Sequence, residues 1–477
     1  MNSHLRSGIL VLPAMVVLAC GSPGQGADPT PDGAAHHSDG PNAPDAAIGD
    51  AAVKTCNGQV ADRSSPATGC AAATCDACVL PATATATSCT VDGACDFTCP
   101  AGTNKTATSC DPPPPQQASL ISAGTAFSCA VTANKRVKCW GANDLGRLGN
   151  GTTIESHVAM DVVGLSDVRA ISSGGAHTCV LTETGAAKCW GYNGEGNLGN
   201  GQNSNPLMPV DVTGLGAGTA AIAAGGLHTC AITATGGVKC WGSNFKGELG
   251  TAPSLRYSNV PIDVVGISSG AIAIASGFYH SCAVLNTGRV KCWGENKHGQ
   301  LGNNTRVDSP TPVDVIGVTD ATAIVAGGET TFGRSHTCVL TSSGGVKCWG
   351  NHGFGQLGTG GLESDSPVAV GVLGLASGVT QISAGQLNVL AVTTTHSVKG
   401  WGDGSQRQLG SATTVESLRP LNIPGLETGI TAAAAGAAHS CFITTTGGVK
   451  CFGTNYHGEI GNNTTTHSVT PVDVVGF

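Results

Sequence analysis

The chain has 477 residues, 71 of them Gly and 23 Pro, with only 4% aromatic and 11% charged residues. A formal net charge of −8 without any basic run excludes a nucleic-acid binder that works by neutralising phosphates. Such glycine content belongs to a chain that turns often and packs backbone against backbone, in several domains or one large repeat array with attachments.

Residues 1–19 read as a lipoprotein signal peptide. Arg6 precedes the apolar run "ILVLPAMVVLA", too short to span a bilayer as a mature helix. The stretch "VLAC" resembles a bacterial lipobox, which makes Cys20 the lipidation site and the membrane a partner through the lipid anchor only. The competing expectation is an ordinary signal peptide, a secreted product and an incidental Cys20. Residues 20–53 are acidic and lack aromatic, Lys and Arg side chains, so they read as a disordered linker.

Residues 54–112 carry eight cysteines, at 56, 70, 75, 78, 89, 95, 99 and 110, and no histidine. In an oxidising compartment these form a small disulfide module, not a zinc site, although the connectivity stays open. A Pro-rich linker follows at 113–118.

From residue 119 to 477 the chain repeats. Trp140, Trp190, Trp241, Trp293, Trp349, Trp401 and Phe452 each precede a Gly, at intervals of about fifty residues. Every unit alternates short β-rich runs with Gly- and Thr-rich turns, about four strands per unit. Radial repetition into an all-β, seven-bladed β-propeller is the expected architecture.

One unit supplies Gly225, His228, Thr229, Cys230, Gly237, Cys240, Trp241, Gly242, Asn244, Gly247, Leu249 and Gly250. This pattern resembles the regulator-of-chromosome-condensation repeat family, and the resemblance covers about three-quarters of the chain. It implies the seven-bladed fold, and a structural role for the histidine at 177, 228, 280, 336 and 439. The terminal Val472–Phe477 is expected to close the ring against the first blade.

Each unit but one holds two cysteines ten residues apart, flanking a turn. In the exception both are lost together, to Leu390 and Gly400, as disulfide partners should be. Six bridges are therefore expected: Cys129–Cys139, Cys179–Cys189, Cys230–Cys240, Cys282–Cys292, Cys338–Cys348 and Cys441–Cys451. Cytoplasmic members of the family would keep such positions reduced, which points to an extracytoplasmic setting. The repeated Trp reads as blade packing, and the Asp of "PVDV" as the polar side of an alternating strand.

No nucleophile elbow, phosphate-cradling loop or metal-ligand helix is present, so no catalytic residue, metal or cofactor is assigned. A ring of five histidines invites a metal, but Phe127 at the equivalent position is an odd ligand. The repeat is broken by a six-residue insertion in "AGGETTFGRSHTC", and the preceding unit has Phe278-Tyr279 where most others carry Gly, Ala or Leu. The resemblance to relatives of the plant ultraviolet-photoreceptor type places the residues before the His on a partner-facing end. Phe278, Tyr279, Glu329, Phe332 and Arg334 are thus the candidate protein-binding face, unless Phe332 merely folds over its own loop. A second variable set follows each Trp-Gly: Leu145, Phe245, Lys246, His298, Phe354, Tyr456 and His457.

The expectation is a lipid-anchored, extracytoplasmic scaffold at the cell envelope that binds a protein. That mode is shared with a secreted β-lactamase inhibitory protein that this chain resembles. The rivals are an envelope glycan-binding or glycan-acting protein, with Glu329 as its acid, and a structural spacer.

Overall fold

A computed structural model describes residues 116–477, apart from 252–254, 330–331, 362–363 and 412–414. Within 55–111 it assigns only short antiparallel strand pairs, such as Ala86–Cys89 with Cys95–Thr98. The signal segment, Cys20, the linker and the side chains of the eight-cysteine module lie outside the described residues.

The repeats form seven four-stranded antiparallel sheets whose strands follow one another in chain order, spanning 118–161, 168–211, 221–263, 271–314, 321–371, 379–422 and 430–473. These are blades one to seven of an all-β propeller, as the repeat pattern predicts. The first strand of each blade lines an axial channel of about 300 Å³. The fourth strand is outermost, where Lys188–Asp211, Lys239–Asp263 and Lys450–Asp473 pair at 2.6–2.7 Å. The Asp of the repeated motif therefore has a cross-strand partner that sequence reading missed. Exposed pairs contribute little stability, but charges along an edge strand oppose edge-to-edge association.

Within a blade, the second and third strands pair so that the cysteines face each other directly, Cys179 opposite Cys189 for example. All six expected bridges form, with Cα atoms 4.0–4.1 Å apart. Each bridge packs beneath the tryptophan of the following blade: Cys179–Cys189 under Trp241, Cys282–Cys292 under Trp349. The glycine after each tryptophan is required by the backbone. Gly242 has φ +97°, and a Cβ there would come within 3 Å of the Leu227 carbonyl and His228 Cα.

The six tryptophans are fully buried. Each indole N–H donates to a loop carbonyl of the preceding blade: Trp190 to Arg147, Trp241 to Asn197, Trp293 to Glu248, all within 2.8 Å. Trp140 of blade one donates to Glu459 of blade seven at 2.8 Å, so the same joint closes the ring. Phe477 lies edge-on against Trp140, and the Ala159 amide donates to the Val475 carbonyl. Val472 and Asp473 pair with Cys451 and Lys450 of their own blade. Beside that joint, Val472, Val474 and Phe477 pack with Trp140 and Ala159, so the terminal segment closes against the first blade as expected, with no exchange of a strand.

Blade six departs from the pattern. Leu390 sits opposite Gly400, with its side chain within 3.3 Å of where a Cβ on Gly400 would lie, and so fills the space of the missing bridge. At four junctions a histidine crosses to a hydroxyl of the next blade, as His280 does to Thr337 at 2.9 Å. At the junction of blades five and six that hydroxyl is replaced by Val389, and both ring nitrogens of buried His336 lack a partner. Val389→Thr, nearly isosteric, should supply the hydroxyl and stabilise the propeller by about 1 kcal/mol. Thermal melting checks this; an unchanged or lower midpoint would show that His336 gains nothing from the hydroxyl.

Candidate functional site

Antiparallel strands in chain order put the loops between first and second strands at the same end of the propeller as those between third and fourth. The inserted loop of blade five and the loops after each Trp-Gly therefore share one surface. The latter loops are built by the repeated Asn. Asn193 donates to the Gln202 and Ser204 carbonyls and accepts from the Leu198 amide, all at 2.9–3.0 Å. His352 takes this place in blade five, where its Nδ1 accepts from the Leu357 amide at 3.2 Å.

Phe278 sits at the channel mouth, its ring within 3 Å of where a Cβ on Gly226 would lie and its own Cβ close to Gly328. Tyr279 meets it edge-to-face at 4.8 Å. The flanking blades thus leave room for Phe278 by carrying glycine.

Phe332 points outward, 63% exposed. The Arg334 guanidinium lies 4.4 Å from its ring centre and 5.0 Å from that of Phe354, which joins the insertion to the second variable set. Glu329 behaves otherwise. It is buried, its Oε1 accepts from the Phe332 amide at 2.9 Å, and its amide donates to the Arg334 carbonyl. Glu329 therefore shapes its own loop and is no part of an open acidic cleft.

A second aromatic–cation stack flanks the first. Arg256 lies 5.1 Å from the centre of half-exposed Phe245. The stacks are linked through Glu295, a buried carboxylate approached by Lys246 at 3.7 Å and Lys297 at 3.4 Å. Gly333, between Phe332 and Arg334, covers Glu295: a Cβ there would stand 2.9 Å from Oε2. Burial pushes nearby Glu248 up to about 7, and burial, with Glu295, Glu248 and Glu329 nearby, also raises the Tyr279 phenol.

His298 pins the insertion from below. Its Nδ1 donates to Asp365 at 2.6 Å, and its ring bonds the Phe332 backbone. The bond to Asp365 lifts His298 above its ordinary value against burial. Burial disfavours the Asp365 charge, but bonds from His298 and the His352 amide hold its carboxyl below the usual range. Leu145, Tyr456 and His457 belong to blades one and seven, where His457 pairs with Glu155 at 2.8 Å.

Four of the five repeated histidines are hydrogen-bonded joints between blades, His336 being the exception. His177 meets Thr229, His228 meets Ser281 and His439 meets Ser128 at 2.7–2.8 Å. The receiving hydroxyl donates onward, Thr229 to the Asn197 carbonyl at 2.9 Å, so the imidazole carries its proton on Nε2.

Two models described as regulator of chromosome condensation (RCC1) repeat match this chain. One matches residues 119–147, 168–197, 220–248, 271–300, 323–356 and 430–459, the other 136–181, 188–232 and 397–443, together more than half of the sequence. The chain belongs to the regulator of chromosome condensation repeat family. Human E3 ubiquitin-protein ligase HERC2 is 33% identical over 262 residues, which are 54% of this chain and 5% of the ligase. The ultraviolet-B receptor UVR8 of Arabidopsis thaliana is 28% identical over 308 residues, 64% of this chain and 58% of the receptor. The chain thus spans less than two-thirds of either relative. Yeast RCC1 (Prp20), solved with Kap60, superposes with a TM-score of 0.62 at 19% identity, covering 75% of this chain and 85% of the other. Human WBSCR16 gives 0.62 at 20% identity, covering 71% and 94%. Both superpositions show the same fold.

Two pH effects follow. Burial depresses His228 and His280 to about 3 and His177, His336 and His439 to about 4. Below the unfolded value near 6.5, the unfolded chain binds protons that the native rings refuse. Stability is thus complete at neutral pH and falls as pH drops from about 6.5 towards 4. Melting against pH checks this, and a midpoint unchanged down to pH 4 would refute it. His298 has the opposite sign: its raised value keeps the pin closed at low pH and loosens it as pH rises through that value. His298→Gln should speed amide exchange across 332–335, corrected for intrinsic rate, at low pH more than at high.

Proposed function

We propose that this protein is a cell-envelope scaffold, anchored through a lipid on Cys20, whose propeller binds another protein. The binding surface is the end of blades three to five that carries Phe245, Phe278, Tyr279, Phe332, Arg334 and Phe354. The exposed Phe332–Arg334–Phe354 stack carries this reading: the one blade whose inner loop is lengthened uses the insertion to present an aromatic ring to solvent. Aromatic rings immobilised by arginine are the groups on which protein interfaces concentrate binding energy. Six bridges in the propeller suit an oxidising compartment. Among relatives, Prp20 has been solved with Kap60, and Prp20p of Saccharomyces cerevisiae studied for its binding to Gsp1p and histones.

Capture from surface and culture-medium proteins, with wild type beside Phe332→Ala/Phe354→Ala, tests the face. The variant, verified by melting and non-reducing mass spectrometry, should lose its partner by at least about tenfold. Equal capture by both would refute the assignment. Cys20→Ser should leave the membrane fraction; retention there would refute the anchor.

A further inference from the structure

Charge on the proposed binding end is sorted by blade. In blades three to five, Arg256 and Lys297 are exposed, Lys246 and Arg334 partly so, and Arg306 is exposed but paired with Asp365 at 3.5 Å. Among the described residues, the carboxylates of the same loops are buried or bonded locally, Asp308 alone being exposed. Glu248, Glu295 and Glu329 are buried. Asp365 is taken up by His298, Asn351 and the His352 amide, and Asp308 accepts from the Asn296 amide. Across the ring, blade one keeps its acids at the surface: Asp144, paired with Arg147, and Glu155, which meets His157 and His457, have side chains 69% and 44% exposed.

This segregation occurs on a chain whose formal net charge is −8. Lys246 and Lys297 share one carboxylate, Glu295, and so leave an excess of positive charge. Arg256 and Arg334 lie over phenyl rings, which occupy the guanidinium faces and leave their N–H edges for acceptors. Two cation-capped aromatic rings, separated by two lysines, form a surface complementary to carboxylates interspersed with apolar side chains.

Resting on the reading of this end as the binding face, we propose that the partner docks through an acidic segment bearing aromatic or aliphatic residues. Its carboxylates meet Arg256, Lys297 and Arg334, and its apolar side chains lie on Phe245, Phe332 and Phe354. Burial holds Glu248 up at about 7, so it opposes such a segment with less than a full charge at neutral pH. The exposed acids of blade one disfavour the same segment on the far side of the ring.

A library of random peptides displayed on phage, panned against the full chain, tests this. Expected are peptides rich in Asp and Glu with apolar residues. They should bind at least about tenfold more weakly to Arg256→Glu/Lys297→Glu, and more weakly again as salt rises. Lys246→Gln/Lys297→Gln, which adds no negative charge, serves if the first variant melts early, and should shift binding in the same direction. Basic or neutral winners, no enrichment over background, or acidic peptides indifferent to both charge variants would overturn the proposal. Peptides of neutral or basic character lost on Phe332→Ala/Phe354→Ala would uphold the face and overturn the acidic partner. Peptides held equally by wild type and that aromatic variant would overturn the face itself.

Discussion

The structure depends on one buried loop carbonyl at each of four junctions between blades. The oxygen of Asn197, for instance, accepts the indole N–H of Trp241 and the hydroxyl of Thr229, and that hydroxyl receives His177. Two side chains of one blade thus converge on a single loop oxygen of its neighbour that water cannot reach, with the neighbour's histidine behind them. Gln300 does the same for Trp349 and Thr337, with His280 behind. Because a buried polar group without a partner costs more than the bond itself contributes, each junction stands or falls as a set. The histidines must remain neutral for the set to work, which links stability of the whole ring to acid.

Much of this was legible in the sequence because repetition multiplies weak signals. Seven copies of an aromatic-Gly pair fixed the blade count, and the joint loss of both cysteines at Leu390 and Gly400 identified the bridges as pairs. Individual hydrogen-bond partners were not legible. His177 and Thr229 are 52 residues apart, and only the angular offset between blades brings them together. Lys188 and Asp211 likewise meet only through cross-strand register.

Around the candidate surface the outcome divides by residue. Phe332 and Arg334 lie outward as the insertion suggested, because Gly333 turns the loop at φ +65°. Glu329 turns inward, since a lengthened loop has more amides to satisfy than a tight turn, and its carboxylate serves the one on Phe332. The association of Phe354 with Arg334 could not be read from sequence: twenty residues separate them, and each belongs to a different connection of the blade.

Because every blade is built from four consecutive strands, none borrows a segment from another. The contact surface is then a matter of azimuth: lengthening the inner loop of another blade would rotate it about the axis while the joints stayed as they are. A lineage that duplicates and diversifies such blades can redirect what it touches by moving a few loop residues around the ring, without reworking the ring itself.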